Sequence, residues 1–582
     1  MLVADNVTTK LHRAIADNAM SGAHRFARAF ARHGVTVVFG QSIPSLFHLV
    51  APAHAIRQAV YRAENAGGAM ADAYARVTNR IGVVTAQNGP AATLLVAPLA
   101  EAMKVSVPVI ALVQEVTADT ADRNAFQELD HYALFSGVSK WVRRIEDVER
   151  IDDYVDMAVA MATTGRPGPV VLLVPGNVFS AISTSEPSRR AQLGGFPLDR
   201  VTPDAKAVAK AADLLATARR PLVIAGGGVL LSQAQDALAN IQERFHLPVA
   251  TTLMGKGAVS EYHPLSLGVV GYFMGSGSRT EALTEFVREA DVVLLIGNRT
   301  NQNGTNSWRL YPKDATYIHL DIDGHEVGRN YEALRLVGDA RAGLEALAEA
   351  IESTDGTWRR NSRERFEAEI AAARASFRAK LERHGVAREG PVRPERVMLE
   401  LDRVLTDDAM VISDASYASI WTGNYLTARR PGMRFITPRG LAGLGWGLPM
   451  AIGAKLARPD APAICVTGDG GFAHCWAEIE TAVRMKLPIP IIVLNNQTLG
   501  FQKDAEDVMY GAHTQACHFA PVDHAAIGAA CGAKGVTVAS PADVAPALAA
   551  ALRHSGPTVI DVVTDPAARP PVTLYRGRFT DE

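Results

Sequence analysis

The stretch GDGGFAHCWAEIETAVRMKLPIPIIVLNNQ, which begins at Gly468, decides the fold of this chain. The segment just before it, PAICVT (462–467), is short, apolar and rich in β-branched residues, which predicts a buried strand. AHCWAEIETAVRMK (473–486) has helical periodicity, and IPIIVLNN (489–496) predicts a second buried strand. Strand, helix and strand in this order predict a parallel βαβ unit.

Two oxygen-bearing side chains follow these strands. Asp469 comes directly after the first strand, and Asn496 stands at the end of the second. Because ligand crevices in parallel sheets lie beyond the carboxyl ends of the strands, we expect both side chains beside one ligand. Oxygen ligands near a Gly-rich loop and a helix N-terminus suit a magnesium ion that carries a diphosphate. A GDG alone predicts only a turn, whereas GDG and NN on either side of one crossover helix are far more specific.

This pair of motifs resembles the thiamine diphosphate (ThDP) motif, and the chain is similar to the acetolactate synthase-like family of ThDP enzymes. In that family the acid, the second asparagine and a backbone carbonyl two residues later bind magnesium. The resemblance therefore implies that Asp469, Asn496 and Thr498 are the metal ligands. It assigns cofactor binding at this motif to Gly468, Asp469, Gly470, Gly471, Asn496, Thr498, Leu499 and Gly500.

Composition excludes several classes of protein. The chain has 582 residues, 48% apolar and 21% charged residues and a net charge of −2, which is typical of a soluble globular protein and implies no nucleic-acid partner. Its four cysteines show no CxxC spacing, so we interpret them as reduced thiols. His513, Cys517 and His518 could ligate a metal, but a polar loop is the favoured interpretation. No leader or long apolar run is seen, so we expect a cytoplasmic protein without membrane contact.

Three segments with alternating strand and helix patterns divide the chain, at about 21–182, 203–350 and 391–582. A polar linker (183–200) and a helical stretch of mixed charge (358–385) separate them. The alternation predicts three doubly wound α/β domains with parallel sheets. The resemblance implies that they are, in order, a ThDP pyrimidine-binding domain, a central nucleotide-binding-like domain and a diphosphate- and magnesium-binding domain.

Glu64 precedes a run of small residues in YRAENAGGAMADAYARV (61–77). From the residues alone, it is best interpreted as a helix N-terminal carboxylate stabilised by the helix dipole. The family has an acid here, before a similar run, which implies that Glu64 is catalytic and hydrogen-bonds N1′ of the ThDP aminopyrimidine. Ala63 and Asn65 differ from the His and Gln common in relatives. In the family this acid and the diphosphate site belong to different subunits, which implies a homodimer or homotetramer.

A second Gly-rich stretch, RGLAGLGWGLPMAIGAKLARPD (439–460), permits tight backbone turns and is compatible with simple helix–strand packing. The resemblance implies a sharper role, in which a bulky apolar residue, here Leu444, separates the two ThDP rings and bends the cofactor. The amide of Leu444 and the carbonyl of Ala442 are then expected to bind the aminopyrimidine. Relatives usually have Gly at 442, and many acetolactate synthases have Met at 444.

Two further stretches, TAQNGPAATLL (85–95) and NAFQELDHYALFSGVSKWV (124–142), resemble family elements that face the reacting carbon. The residues concerned are Asn88, Gly89, Pro90, Phe126, Gln127 and Lys140. Amides such as Asn88 and Gln127 can hold the oxygens of a 2-oxo acid, and a cation such as Lys140 can attract its carboxylate. A plain surface lysine is an equal alternative for position 140. The Asn-Gly-Pro form also resembles sulfoacetaldehyde acetyltransferases.

The sequence of the central segment does not decide which cofactor, if any, this domain binds. IAGGGVLLS (224–232) is a Gly-rich βα turn that could cradle a diphosphate or be a plain turn. GNRTNQNGTNSW (297–308) keeps Arg299 but lacks the acids of the FAD segment of acetolactate synthases. LDIDGHEVGRN (320–330) and GDA (338–340) match the family and suit a ribose. FAD, ADP and an empty central domain all remain open.

The resemblance as a whole implies a ThDP- and Mg²⁺-dependent carboligase or lyase that decarboxylates a 2-oxo acid such as pyruvate and transfers the two-carbon unit to a carbonyl. Alternatives are a 2-hydroxyacyl-CoA lyase, a sulfoacetaldehyde acetyltransferase and a flavin-dependent oxidoreductase of the pyruvate oxidase type. GFQKDAEDVMY (500–510) lacks the tryptophan that shapes the acceptor pocket of synthases preferring 2-oxobutyrate. A non-catalytic homologue ranks last, because Glu64, Asp469 and Asn496 are all present.

Overall fold

The computed structural model describes residues 20–183, 185–186, 189–354, 360–385 and 389–573. Parts of the predicted linker (184, 187–188), of the charged stretch (358–359) and of the third segment (574–582) lie outside the described residues. Three sheets of six parallel strands each are present, which confirms the α/β fold with doubly wound parallel sheets. No helix in the described residues is long and apolar enough to cross a membrane.

The first sheet is built from short apolar strands between amphipathic helices. Its strands are β1 (Val37–Phe39), β2 (Arg57–Ala59), β3 (Gly82–Gln87), β4 (Val109–Glu115), β5 (Trp141–Arg144) and β6 (Val170–Pro175). The accompanying helices are α1 (Gly22–Arg32), α2 (Ser45–Val50), α3 (Glu64–Thr78), α4 (Pro90–Leu94), α5 (Val96–Val105), α6 (His131–Ser136), α7 (Ile151–Thr163) and α8 (Gly176–Ser180).

The second sheet follows the same alternation. Its strands are β7 (Pro221–Ala225), β8 (Val249–Thr251), β9 (Ser266–Val269), β10 (Val292–Ile296), β11 (Thr316–Asp321) and β12 (Ala333–Val337). Its helices are α9 (Ala205–Thr217), α10 (Gly227–Leu231), α11 (Gln235–Arg244), α12 (Thr284–Arg288), α13 (Ala340–Glu352) and the long α14 (Arg360–Gly385).

The third sheet contains the opening motif. Its strands are β13 (Met410–Ser413), β14 (Arg434–Ile436), β15 (Ala463–Gly468), β16 (Pro490–Asn495), β17 (Lys534–Val538) and β18 (Thr558–Val563). Its helices are α15 (Pro394–Val404), α16 (Tyr417–Tyr425), α17 (Gly447–Ala457), α18 (Asp469–Ala473), α19 (Ala477–Arg484), α20 (Gly500–Tyr510), α21 (His524–Ala530) and α22 (Val544–Arg553).

Strand order relates the first and third sheets. The first has the order β2-β1-β3-β4-β6-β5 and the third β14-β13-β15-β16-β18-β17, which is the same order when strands are counted within each sheet. The second sheet has the order β12-β11-β10-β7-β8-β9, the doubly wound arrangement typical of nucleotide-binding domains. In each sheet the strand order switches between two neighbouring central strands, β1 and β3, β10 and β7, or β13 and β15, and ligands of such folds bind at these switch points.

Burial on both faces explains why the strands are nearly continuous apolar runs. In β10, Val292, Leu294 and Ile296 join one apolar core. Val293 and Leu295, which alternate with them, join a second core on the other face. Parallel strands covered by helices on both faces need apolar side chains at every position, because neither face meets water.

The helix predicted over 473–486 is wrong in its extent. Two helices, α18 and α19, occupy this region, separated by residues 474–476. The amides of Cys475 and Glu478 donate to the carbonyls of Phe472 and Cys475, three residues back, so the α-helical hydrogen-bond ladder is interrupted. The first helix begins at Asp469 itself, directly at the end of β15.

The described residues form two compact units. One holds the first sheet, with the residues up to Asp199, Arg439–Ala442 and Pro449–Pro459. The other holds the second and third sheets, with Arg200–Pro438, Gly443–Leu448 and the chain from Asp460 onward.

A buried ionic cluster joins the second and third domains within the latter unit. Glu261 accepts from Lys256 Nζ at 2.6 Å and from Arg279 Nη1 at 3.0 Å. Its Oε2 also accepts from the amide of Ala428 at 2.9 Å, and Arg279 donates to the carbonyl of Tyr425 at 3.0 Å. Lys256 is fully buried. One carboxylate thus balances two cations and fixes the loop that follows α16.

Replacement of Glu261 by Gln removes the charge that balances Lys256 and Arg279. Because an unpaired buried charge is costly, we expect Glu261→Gln to lower the stability of this unit by about 3 kcal/mol. The measurement is the shift of the thermal unfolding midpoint. The matched control is Glu285→Gln, since Glu285 pairs with Arg288 on the surface (69% exposed) and should change stability by less than about 0.5 kcal/mol. Equal shifts for both variants would contradict this account.

Candidate active site

A pocket lies at the carboxyl ends of the strands of the third sheet. It is where the strand order reverses, between β13 and β15, and it extends to the end of β16. Its lining includes Asp414, Ala415, Ser416, Tyr417, Ala418, Leu444, Gly468, Asp469, Gly470, Gly471, Asn496, Thr498, Leu499 and Gly500. The structure therefore brings together in one pocket nine of the sequence-predicted residues, Leu444 and the whole GDG and NN set.

Asp469 lines the same pocket as the turn that follows Asn496. Asp469 is 5% exposed, its carboxylate accepts from the amide of Gly470 at 2.9 Å, and the nearby amide of Gln497 acts to lower its pKa. Gln497 has a left-handed backbone (φ +58°), and Asn496 Oδ1 accepts from the amide of Thr498 at 3.1 Å. The two strand ends thus place their oxygen atoms in one pocket.

The electrostatics of Asp469 fit a cation. Within the described residues its carboxylate has no ion-pair partner, and burial raises its pKa to about 6 despite the nearby amides of Gly470 and Gln497. A buried carboxylate without a counter-charge favours either a proton or a metal ion. Carboxylate, amide and carbonyl oxygens are the donors that Mg²⁺ prefers. Asp469, Asn496 and Thr498 therefore form a suitable donor set.

The start of α16 also lines the pocket, which sequence reasoning missed. Ser416, the residue before this nine-residue helix, has φ +63° and ψ −143°, and its side chain makes no capping bond. The first amides of a helix have no partner within the helix and attract anions such as a phosphate. The signal in the sequence was VISDAS (411–416), a strand followed by an acid and small residues.

Asp414 fixes the segment that carries Leu444. Its carboxylate accepts from the amides of Ala415 (2.8 Å) and Gly445 (3.0 Å) and from Thr467 Oγ1 (3.1 Å). Burial raises the pKa of Asp414. Gly445 has φ +85°, and a Cβ there would lie 2.4 Å from His474 Cβ. Leu444 is consequently held against the pocket by a glycine turn and a buried acid.

Glu64 lies in the first domain, as the first residue of α3. Within the described residues its half-buried carboxylate has no hydrogen bond or ion pair, although the helix around it is closely packed. Gly67, one turn further on, permits contact with Tyr61, whose ring would lie 2.3 Å from a Cβ at that position. A fixed helix that presents an unpaired carboxylate is compatible with a ligand-binding role.

Ala442 lies in the same compact unit as Glu64. Its backbone is left-handed (φ +60°), which explains why glycine suits this position. The neighbouring amides of Gly440 and Leu441 donate to the buried carboxylate of Glu101 at 2.7 and 2.5 Å. Arg76 Nη2 of α3 lies 3.9 Å from Glu101, so α3 and the segment before Ala442 share one anchoring acid.

Asn88 and Gln127 are brought together at the carboxyl end of β3. Asn88 Nδ2 donates to the carbonyls of Phe126 (3.2 Å) and Gln127 (3.0 Å). Gln87 Nε2 donates to Gln127 Oε1 at 2.5 Å. The side chain of Phe126 is 84% exposed, which leaves a large apolar ring free in the described structure.

Lys140 is placed differently from the other residues of this set. Its ammonium donates to the carbonyls of Met161 (2.5 Å), Thr164 (3.1 Å) and Arg166 (2.8 Å) at the end of α7. These bonds use all three donors of the ammonium group. Burial, with the nearby charge of Arg166, lowers the pKa of Lys140 to about 8. The geometry gives Lys140 a helix-terminating role.

The Gly-rich turn of the second sheet (224–232) is closed by backbone hydrogen bonds to the end of β10. The amides of Gly226 and Gly228 donate to the carbonyls of Ile296 and Gly297. A Cβ at Gly226 would lie 2.1 Å from the carbonyl oxygen of Gly297. Asp339 of the GDA motif caps α13 and pairs with Arg200 at 2.6 Å. The glycines and this acid are therefore engaged in packing and capping, and two of the turn's amides are not free to cradle a diphosphate.

Comparison with known families agrees with this geometry. Three family models match the chain: the N-terminal TPP binding domain of thiamine pyrophosphate enzymes over residues 20–134, their central domain over 208–347 and their C-terminal TPP binding domain over 414–562. The chain therefore belongs to the thiamine pyrophosphate enzyme family, and the pocket of the third sheet lies in its C-terminal TPP binding domain.

Its relatives within that family cover nearly the whole chain. It is 32% identical to a probable acetolactate synthase large subunit of Methanococcus aeolicus, over 94% of this chain and 93% of the relative. The corresponding protein of Methanocaldococcus jannaschii is also 32% identical, over 97% of this chain and 95% of the relative. The acetolactate synthase isozyme 3 large subunit of Escherichia coli K12 is 29% identical, over 97% and 98%.

The backbone of Ser416 generates a stability prediction. A non-glycine residue in this conformation costs of the order of 1–3 kcal/mol, so we expect Ser416→Gly to stabilise the protein by about 1 kcal/mol after the added freedom of the unfolded chain is deducted. The thermal unfolding midpoint should rise accordingly. Ser419→Gly is the control, because Ser419 lies inside α16 and glycine there should lower stability by about 1 kcal/mol. A fall in stability for Ser416→Gly would show that the conformation is unstrained.

Proposed function

We propose that this protein is a ThDP- and Mg²⁺-dependent carboligase that decarboxylates a 2-oxo acid, with pyruvate as donor, and transfers the two-carbon unit to a carbonyl acceptor. The observation that carries the proposal is the pocket in which the unpaired Asp469 meets Asn496 and Thr498 inside a TPP binding domain. The relatives named acetolactate synthase supply the choice of donor.

The metal site is assigned to Asp469, Asn496 Oδ1 and the carbonyl of Thr498. The diphosphate is assigned to the glycine loop Gly468–Gly471, to Leu499 and Gly500, and to the first amides of α16. When bound, ThDP would supply the chemistry of a nucleophilic carbon beside a fixed positive charge, which addition to the carbonyl of a 2-oxo acid requires. Leu444, fixed by Asp414, is assigned to hold the bend between the cofactor's rings.

Glu64 is assigned to hydrogen-bond N1′ of the aminopyrimidine. The carbonyl of Ala442 and the amide of Leu444 are assigned to bind the same ring. Its unpaired carboxylate supports this role. The proposal includes a homodimer or homotetramer in which Glu64 of one copy serves the pocket of another. Activity should then require association of at least two chains.

Donor binding is assigned to Gln127, whose Nε2 has no hydrogen-bond partner within the described residues, while Asn88 uses both donors of its amide nitrogen on the carbonyls of Phe126 and Gln127 and so holds that loop. Lys140 is left out of the donor site, because its three donors are used by helix carbonyls. The carboxylate of the donor must then be held by backbone or amide groups.

The function is tested by NMR analysis of products formed from pyruvate by the purified protein with ThDP and Mg²⁺. Acetolactate or acetoin is the expected product. Unconsumed pyruvate, in the presence of bound ThDP, would overturn the choice of donor. The same reaction with and without FAD tests the flavin alternative, which the internal bonding of the central turn does not favour; flavin reduction by pyruvate would reverse that judgement.

Glu64→Gln keeps the size of the side chain but removes its negative charge and its ability to accept and return a proton. We expect turnover to fall about 100-fold or more while ThDP remains bound, because a positioned acid–base group contributes about 10²–10⁴ to rate. Turnover is measured under saturating cofactor, and binding by calorimetry. Glu364→Gln, on the exposed face of α14, is the control. Wild-type turnover in Glu64→Gln would disprove the assigned role.

Asp469→Asn removes the charge from the metal site and leaves its shape. We expect the affinity for ThDP in the presence of Mg²⁺ to fall at least about tenfold, since the other two donors are uncharged. Calorimetric titration of ThDP at fixed Mg²⁺ measures this loss. Asp460→Asn, in an exposed turn, should bind ThDP as the wild type does. Unchanged affinity in Asp469→Asn would show that the metal is held elsewhere.

A further inference from the structure

A buried chain of hydrogen bonds ends on the backbone of the loop that carries Asn88. Arg144 donates from Nε to Glu115 Oε2 at 2.6 Å and from Nη2 to Oε1 at 3.1 Å. His131 Nδ1 lies 3.2 Å from Glu115 Oε1, and the amide of Gly89 donates to His131 Nε2 at 2.9 Å. His131 is 1% exposed and Glu115 7% exposed, so water does not compete for these bonds.

The partners of His131 determine its protonation. A backbone N–H can only donate, so Nε2 must present its lone pair to Gly89. A carboxylate can only accept, so the ring proton lies on Nδ1 and faces Glu115. Burial alone would raise the pKa of Glu115, but the bonds from His131 and Arg144 outweigh it and lower the pKa. Glu115 therefore stays ionised, and His131 is a neutral imidazole of one tautomer.

The Gly89 amide that donates to His131 belongs to a loop with little conformational freedom. Gly89 has φ +64° and ψ −120°, and a Cβ there would lie 2.8 Å from the carbonyl oxygen of Gln127. Gln127 is itself left-handed (φ +61°). The bonds from Asn88 to the carbonyls of Phe126 and Gln127 close the clamp from the other side. His131 begins α6, four residues after Gln127, and so ties both loops to the helix.

We propose that His131 is a positioning residue for the donor site, which holds Asn88 and Gln127 in place through the amide of Gly89, with Glu115 and Arg144 fixing its tautomer. This inference rests on the proposed function, which assigns Gln127 to the 2-oxo acid and Asn88 to the loop that holds Gln127. His131 touches neither cofactor nor substrate in this account. It acts only through the backbone, as the orienting partner of a site does.

Two variants of His131 separate positioning from mere structural support. His131→Phe keeps a ring of similar size but cannot accept from Gly89, so kcat/KM for pyruvate should fall about 10- to 100-fold. His131→Gln retains an acceptor oxygen within reach of Gly89 and should recover most of this loss. The Kd of ThDP should stay within about twofold of wild type in both variants, because the bonds that change do not involve the third sheet.

A second measurement needs no substrate. Hydrogen exchange of the holoenzyme, read by mass spectrometry, should show faster exchange in peptides covering 85–95 and 122–132 for His131→Phe and near wild-type exchange for His131→Gln. If wild type does not consume pyruvate but these exchange results hold, the proposed donor fails and the positioning of the loops by His131 stands. If His131→Phe leaves both kcat/KM and exchange within about twofold of wild type, or if His131→Gln is as impaired as His131→Phe, the inference is overturned.

Two neighbouring arginines on β5 provide a matched pair of variants that leave the buried ring of His131 unchanged. Arg144 is 44% exposed and holds Glu115. Arg143 stacks over Trp141 at 4.9 Å and donates to the carbonyl of Val142 at 2.7 Å, and it meets α6 only through a long bond of 3.4 Å to Tyr132 Oη on its exposed face. Arg144→Met should lower kcat/KM several-fold and speed exchange in the same two peptides, and Arg143→Met should change neither. Should His131→Phe fail to fold, this pair decides the question, and equal behaviour of the two methionine variants would overturn the role of the chain.

Discussion

The buried carboxylate of Asp469, which has no cationic partner among the described residues, is the constraint on which the pocket depends. It lies at the end of β15, where the strand order of the third sheet reverses, and it lines one pocket with Asn496 and the turn that follows. Without a positive charge nearby, burial favours its protonated form, and a pKa of about 6 expresses that imbalance. The divalent cation of the proposed function would remove this imbalance, and Asn496 and Thr498 offer the further oxygen donors that such an ion prefers.

Buried acids serve a second purpose throughout the molecule, which is to hold loops by their amides. Asp414 holds Gly445, beside Leu444, and Glu101 holds Gly440 and Leu441, beside Ala442. In each case a carboxylate accepts from backbone N–H groups that a glycine-containing turn exposes, and such charge-assisted bonds are among the stronger ones in proteins. Within one unit Asp414 keeps the turn at Gly445 that carries Leu444, and within the other Glu101 keeps the turn before Ala442.

Sequence reasoning was accurate where pattern and chemistry coincide. The two strands of the opening motif and the pocket at their ends follow from apolar runs that stop at Asp469 and Asn496. Sequence reasoning failed where local hydrogen bonds override the helical periodicity of the residues. The predicted helix over 473–486 is broken at 474–476, because amides there bond three residues back. For Lys140, predicted to be either a substrate-binding cation or a surface lysine, the three carbonyl partners come from α7 and the residues after it, which no pattern near Lys140 reveals. His131 and Glu115 were missed for the same reason, since sixteen residues separate them.

The segment after the Asn-Asn turn shows how far an altered sequence can keep an ordered structure. It lacks the tryptophan of many relatives, yet α20 begins at once, because Gly500 leaves room for the ring of Tyr417, which would lie 2.8 Å from a Cβ at 500. Tyr417 then donates its hydroxyl to Asp504 at 2.5 Å, and Arg569 Nε lies 3.2 Å from the same carboxylate. These contacts fix α20 beside the pocket by polar bonds rather than by a bulky indole. The tryptophan is thus not needed to order α20, and the sequence departs from synthases that prefer 2-oxobutyrate on a helix that begins at the pocket, so the choice of acceptor is the part of the proposed function that the family resemblance constrains least.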